Sequence, residues 1–437
     1  MDDKTEMKTD TPETGLKWPK PRKSGSAGPK KCIPNFKYLL DSVGIKVRRN
    51  LVTKKNEITG SEELAGKDYN IQTVAIRDMT TRMGLNLSKQ DTNDFLDYIA
   101  DKNKYSPVCD YLEDCYHDYD GKDYITPLFN MFVLDPDVHQ NTEFCKKLFS
   151  KFLLECAAIP FNCKSVTAPA TQEGVLTLVS TKQGIGKTRF PRNTILKDMP
   201  EYLITGETID PKDKDSVSRA SGCWLFELSE FEESLTTKKQ DALKSFIDRG
   251  VDRIRPVYAR EQVDNPRICV LYATTNRTNF LYDSTGGRRW WPIAIKAINI
   301  DKDFNARQLW GQVMHLLRDE HEEPYLNAEE LKELEKHNNN FSAQTDEEIA
   351  IYEVFDFSEV DTGKWQTLTA GEIADNLNTR FDCRRYTPKK VGTALTAMSR
   401  KDGRITKRMV HGRANYFIPP ALGGTNPKFT NEEKGIK

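Results

Sequence analysis

The chain has 437 residues, with 65 Lys or Arg balanced by 65 Asp or Glu, so its formal net charge is zero and its length has room for two or three domains with sizeable cores. Zero net charge excludes a protein that coats nucleic acid through a uniformly basic surface, and any DNA contact has to come from local patches. Nine scattered cysteines suit reduced thiols in a cytoplasm rather than a disulfide framework, and no apolar stretch approaches the ~20 residues that span a bilayer, so we expect a soluble cytoplasmic protein with no membrane partner. In chain order, residues 1–31 are rich in Lys, Pro, Ser and Gly and read as a disordered basic arm, which cannot bury enough surface to offset its ordering entropy. Residues 32–135 read as a small α/β module, with helical patterns around Phe36–Asp41 and Asp94–Ala100 and a strand-turn-strand from Val47 to Ile58. Within 136–173, an amphipathic helix places Phe144, Leu148, Phe152 and Leu153 on one face.

From Val175 an apolar strand breaks into a glycine-rich turn, Gly184-Ile185-Gly186-Lys187-Thr188. Successive backbone N–H groups of such a turn point at phosphate oxygens, Lys187 reaches the β- and γ-phosphates of ATP, and the Thr188 hydroxyl coordinates Mg²⁺. Thr181 stands where the full phosphate-loop pattern has its first glycine. A second apolar run, Cys223–Leu228, carries Glu227 and ends at Glu230, the carboxylates needed to hold Mg²⁺ and activate water. A third run from Ile268 ends at Asn276, placed to sense the γ-phosphate. Between these two runs Arg253, Arg255 and Arg260 alternate with apolar residues as on a hairpin. After Asn276, the Gly286-Gly287 turn presents Arg288 and Arg289, a planar and permanently charged pair suited to reaching a neighbouring subunit's nucleotide. Alternating strands and helices over residues 174–300 predict a parallel sheet covered on both faces, with nucleotide at the carboxyl ends of its strands.

Helical, acidic sequence follows in 301–345, and Asn338–Gln344 reads as a linker. In 346–420, Thr369 and Glu372 form a capping box, Thr387-Pro388 starts a second helix, and a hairpin pattern runs from Arg404 to Ile418. That order is a winged helix. Eleven Lys or Arg against two Asp between Arg380 and Arg413 give this stretch a local net charge of +9. Such a patch is the electrostatic footprint of duplex DNA binding, with Lys389 and Lys390 opening the recognition helix and Lys407, Arg408 and Arg413 on the wing. Residues 421–437 read as a disordered tail.

Gly184–Thr188, Trp224–Glu230, Arg253–Tyr258, Thr274–Arg277 and the string Asp283–Pro292 together resemble the virulence-associated protein E family. The resemblance spans roughly residues 100 to 295. It implies an α/β P-loop NTPase core, AAA+-like and of the superfamily 3 helicase kind, preceded by the N-terminal module and followed by the winged helix. It further implies an ATP-dependent DNA helicase that starts replication of a phage, plasmid or phage satellite inside a bacterial host. Such an enzyme works as a homo-oligomer, hexameric in form, with helices ahead of the core as a collar and single-stranded DNA passing the arginine hairpin in a central channel. Relatives often fuse a primase, but the residues ahead of the core are too few for one and show no carboxylate-pair-plus-His arrangement, so any primase would be a separate chain. The alternative is a factor that uses ATP to assemble on an origin without unwinding it.

Overall fold

The computed structural model describes residues 17–20, 29–164, 169–207, 209–210, 213–229, 243–254, 263–281, 287–301, 303–343, 345–410 and 412–422. It is a mixed α/β protein with several sheets.

The N-terminal module consists of α1 (Ile33–Ser42), β1 (Lys46–Asn50), β2 (Asn56–Thr59), α2 (Tyr69–Arg82), α3 (Lys89–Lys102) and β3 (Lys104–Tyr105). β1 pairs antiparallel with β2, placing Val47 opposite Ile58, and parallel with β3. Local chemistry sets the helix starts: Asp68 accepts from the N–H groups of Asn70 and Ile71, and Ser88 and Asp91 form a capping box at α3. Phe36, Leu39, Leu40, Ile76, Leu96 and Ile99 fill the module's core. Part of the expected disordered arm is tied down against this core. The buried Asn35 side chain bonds the backbone of Lys20 and Lys30, and Trp18 packs edge-on against Tyr38. The rest of that arm lies outside the described residues.

The module's own hydrophobic cluster ends at Ala100, short of the Asp135 boundary read from the sequence. From Val108 onward the chain packs with the central sheet, through α4 (Pro107–His117), α5 (Ile125–Phe129), β4 (Phe132–Leu134) and α6 (Thr142–Ala158). Phe144, Leu148, Phe152 and Leu153 are buried on α6 as expected, but so are Cys145, Phe149, Leu154 and Glu155. The helix is enclosed on most sides by the core that also holds Leu176 and Ile293, rather than presenting an open collar face.

The central sheet is built from β5 (Val175–Val179), β6 (Leu203–Glu207), β7 (Leu225–Ser229), β10 (Val270–Thr275) and β11 (Trp290–Ile298), with α7 (Arg189–Asn193) and α8 (Lys214–Ala220) in its connections. Its order is β4-β11-β5-β10-β7-β6. All neighbours from β11 to β6 run parallel, and β4 closes one edge antiparallel to β11. Both faces are covered, which is why these strands read as unbroken apolar runs. Leu176, Leu178 and Tyr272 face one hydrophobic cluster, while Val175, Val179 and Ala273 face the other. Between β7 and β10 a separate antiparallel pair, β8 (Val251–Ile254) and β9 (Val263–Pro266), forms the expected hairpin.

Beyond the sheet come α9 (Ala306–Arg318) and α10 (Ala328–Asn338). The Asn-rich stretch after α10 was expected to be a linker, yet it is structural. Phe341 is fully buried, its carbonyl accepts from the N–H groups of Phe280 and Leu281, and the Asn338 side chain donates to the carbonyls of Gly287 and Trp290.

The C-terminal unit runs α11 (Asp346–Val354), β12 (Gln366–Thr369), α12 (Ala370–Arg380), α13 (Pro388–Lys401), β13 (Thr406–Val410) and β14 (Arg413–Ile418). Its antiparallel sheet has the order β12-β14-β13. The expected capping box at Thr369 and the Thr387 cap with Pro388 are present. The unit has its own core around Ile351, Trp365, Leu377, Leu395 and Tyr416.

Candidate nucleotide-binding site

β5 delivers the glycine-rich turn to the carboxyl edge of the sheet. Gly184 and Gly186 have φ of +73° and +97° there, a backbone conformation L side chains rarely adopt, so the turn depends on glycine at both positions. Because Val179 pairs with Thr275 in the adjacent parallel strand, the turn lies beside the end of β10. Lys187 Nζ consequently donates to Thr275 O and to Asn276 Oδ1, each at 2.7 Å. Thr188 Oγ1 donates to Glu227 Oε1 at 3.0 Å, and Thr274 Oγ1 donates to the same oxygen at 3.0 Å. Three strands far apart in sequence thus bring Lys187, Thr188, Glu227 and Asn276 together, as their types had suggested.

Glu227 is fully buried, and its Oε2 has no hydrogen-bond partner among the described residues. A buried acceptor left open beside a threonine hydroxyl fits a hard divalent cation such as Mg²⁺, which takes one or two carboxylates and fills its remaining positions with water and phosphate oxygens. Tyr272, directly across from Glu227 in the sheet, has its hydroxyl pKa raised well above the usual range, by burial first and by the Glu227 charge second. Among the described residues no group of three or more His, Cys, Asp or Glu is placed to hold a metal ion, so a cation here would rely on Glu227, Thr188 and its ligand's oxygens. The helix after the turn, α7, has only five residues, with Thr188 at its N-cap and Thr194 ending it at φ −128°, ψ −89°. Anion binding would therefore rest on Lys187 and the N–H groups of the turn more than on a helix dipole. Ile185 packs its side chain against the neighbouring core.

Arg288 and Arg289 lie at the opposite edge of the sheet. β11 starts at Trp290, which pairs with Val175 at the beginning of β5, whereas the glycine turn follows Val179 at its end. The length of β5, roughly 15 Å at ~3.3 Å per residue, separates the arginines from the chain's own turn. Arg288 is exposed. Arg289 is forked onto Asp248, with Nε to Oδ1 at 2.8 Å and Nη2 to Oδ2 at 2.5 Å, and this contact holds the Asp248 carboxyl below the usual carboxylate range. Arg253 lies on β8. Glu230, Arg255 and Arg260 lie outside the described residues. Sequence reading missed Thr274 and Asp248. A hydroxyl at the end of a strand next to the carboxylate strand was a usable signal for Thr274, while nothing local marked Asp248.

In the C-terminal unit Lys389 and Lys390 stand on the first turn of α13, Lys407 and Arg408 on β13 and Arg413 on β14, all exposed. Lys390 faces Glu347 at 3.6 Å, and Lys407 sits over the Tyr416 ring. A cleft of about 400 Å³ lies between α13 and the hairpin, lined by Lys389, Thr393, Lys407 and Tyr416 among others. No helix among the described residues is long and apolar enough to cross a membrane.

A mixed α/β protein that gathers a lysine, a hydroxyl and a buried carboxylate at the carboxyl edge of a parallel sheet is the class these features define. The chain belongs to the virulence-associated protein E-like domain family, whose model matches residues 112–343. Comparison with curated proteins gives no match. Among solved structures, one of the apo NrS-1 C terminal region (305–718) is 13% identical, with 88% of this chain and 98% of that chain covered at a TM-score of 0.36. Two structures of its A form are 13% and 14% identical over the same shares, at TM-scores of 0.39 and 0.41. Scores this low establish no shared fold.

Proposed function

We propose that the chain is an ATP-hydrolysing DNA helicase that acts in replication of a phage, plasmid or phage satellite, as an oligomer of ring form, probing duplex DNA with its C-terminal unit. The observation that carries the reading is the convergence of Lys187 on Asn276 and of Thr188 on Glu227, with one carboxylate oxygen lacking a hydrogen-bond partner among the described residues. Support for a P-loop NTPase core of the AAA+-like, superfamily 3 kind comes from the parallel order β11-β5-β10-β7-β6 with the glycine turn after β5. The order α11-β12-α12-α13-β13-β14, with exposed lysines on α13 and β13, supports a winged helix that meets DNA phosphates.

In this reading Gly184, Ile185, Gly186 and Lys187 hold the phosphates. A Mg²⁺ bound through Glu227 and Thr188 would neutralise charge developing on the transferred phosphoryl group. Lys187 exchanges its neutral partners at Thr275 and Asn276 for phosphate oxygens, and Asn276, released from the ammonium, turns toward the attacking water. Glu227 or Glu230 accepts the water proton. Arg288 or Arg289 completes the site of the next subunit, consistent with their place on the far edge of the sheet. Arg253, Arg255 and Arg260 track one DNA strand. The enzyme works in the bacterial cytoplasm, with any primase on a separate chain.

The test is ATP hydrolysis by the purified chain with Mg²⁺, measured alongside displacement of a strand from a forked duplex. Hydrolysis with displacement is expected. Hydrolysis without displacement would favour assembly on an origin duplex instead, a reading that the exposed basic hairpin of the C-terminal unit would also serve. Absence of hydrolysis would remove both.

A further inference from the structure

We propose that Arg289 is a positioning residue whose pair with Asp248 ties the arginine turn to the base of the β8–β9 hairpin, leaving Arg288 as the residue that reaches a neighbouring subunit's nucleotide. This rests on the ATP-driven reading above and assigns separate tasks to the two arginines.

The two guanidiniums differ in their surroundings. Arg289 has a side chain only 15% exposed and spends Nε and Nη2 on both oxygens of Asp248, the planar geometry that fixes a guanidinium in direction as well as distance. A group so engaged would have to break a fork-shaped ion pair before crossing an interface. Arg288, one residue earlier on the same turn, is exposed. The turn that carries them is held from behind, since Asn338 donates to the carbonyls of Gly287 and Trp290 on either side of the pair.

Asp248 has a half-exposed side chain but is held through its backbone neighbours, and that anchor is the root of the hairpin. It follows the buried Phe246 and Ile247, and its N–H donates to Lys244 O. Arg267, immediately after β9, donates to the carbonyl of Phe246, lies over the Phe246 ring at 3.9 Å, and forms a buried ion pair with Asp252 of β8. Asp252 also accepts from Ser221 at 2.8 Å, and the Arg267 N–H donates to Gly250 O. The hairpin root, the segment bearing Asp248 and the arginine turn are therefore linked by directional bonds. A displacement of the hairpin by a DNA strand would pull on Asp248, and through Arg289 on the turn that presents Arg288. The hairpin's load and the neighbour's hydrolysis would be coupled within one subunit.

The experiment compares Asp248→Ala, Arg289→Ala, the double variant, Arg289→Lys and Arg288→Ala in the full-length protein. Asp248→Ala and Arg289→Ala are each expected to cut stimulation of hydrolysis by single-stranded DNA about tenfold, with KM for ATP unchanged. The double variant should be no worse than either single one, because both remove the same bond. Arg289→Lys keeps the charge but not the fork and should fall between. Arg288→Ala should lose hydrolysis with or without DNA. Amide hydrogen exchange in β8 and β9 of the nucleotide-free protein is the second measurement: it should rise alike in Asp248→Ala and Arg289→Ala and stay unchanged in Arg288→Ala. The proposal is overturned if Arg289→Ala loses hydrolysis as deeply as Arg288→Ala while Asp248→Ala keeps full stimulation, or if releasing Asp248 leaves hairpin exchange untouched. Should the unmodified protein hydrolyse no ATP, the ATP-driven reading fails while the exchange measurement still decides whether the link exists.

Discussion

The two edges of the central sheet use polar groups in opposite ways. At the carboxyl edge, Glu227 keeps one buried oxygen without a hydrogen-bond partner among the described residues, and Lys187 donates to a carbonyl and an amide oxygen. At the amino edge Arg267 pairs with Asp252 and Arg289 with Asp248, although Lys54 Nζ and Glu155 Oε2 are also buried there with no hydrogen-bond partner among the described residues. A buried acceptor without a donor is costly unless something fills it, so the first arrangement fits a ligand-binding site. The second is a brace. The difference teaches that neither a buried charge nor an unpartnered oxygen identifies a site by itself; Glu227 stands apart because its open oxygen shares a sheet edge with a glycine turn, a lysine and two hydroxyls.

Four substitutions would break or sharpen this contrast. Lys187→Ala should lower kcat for ATP hydrolysis by at least about 10³-fold while far-ultraviolet circular dichroism is unchanged, since phosphoryl transfer depends on positioned charge. Turnover near that of the unmodified protein would sink the site. Asp252→Ala should instead act on stability, leaving the Arg267 cation buried without its carboxylate at a cost of about 3–5 kcal/mol in urea unfolding. A loss under ~1 kcal/mol would mean the amino edge is not a brace.

Lys54 tests the same edge by pH. It sits in the left-handed region at φ +59°, and its Nζ is buried with no hydrogen-bond partner among the described residues. Burial lowers its pKa from 10.5 to about 8, with the Asp252 charge opposing and the Arg267 charge assisting. The unfolded chain then binds more protons than the folded one between about pH 8 and 10.5, so Lys54 costs stability below pH 8 and that cost fades as pH rises. Lys54→Met should therefore raise the thermal midpoint by several degrees at pH 7, with the gain shrinking toward pH 10; an equal gain at both values would refute the titration. The smallest effect is expected from Thr274→Val, which removes one of two donors to Glu227 Oε1. A loss of about 1 kcal/mol, or roughly fivefold in kcat with KM unchanged, is expected.

What the sequence revealed of this molecule follows the reach of its signals. Gly184 to Thr188 and Asn276 were legible because each ends an apolar run, and Glu227 because it is the one charge inside such a run; parallel strands bring these positions together without further information. The caps at Thr369 and Thr387 were legible because a cap is local. Asp248 and Arg289 are 41 residues apart and meet only through the fold, so no spacing announces them. The Asn-rich stretch after α10 misled for the opposite reason: polar composition resembles a loop, but Asn338 spends its amide on backbone carbonyls that would otherwise lack donors. β12 and α11 escaped notice because a short strand beside a capping box and an acidic helix with little apolar periodicity carry weak patterns.

The three-residue strand β4 has a consequence for how copies of the chain can meet. It lies antiparallel along β11, and at the far side β6 slips register between Ile204 and Glu207. One rim is thus capped by a strand too short to template much pairing, and the other is broken by an irregularity. Neither offers a long straight row of unpaired backbone groups on which a second sheet could grow. If copies of the chain assemble, as proposed above, they would join through side chains, so such contacts could be made and released without unzipping a shared sheet.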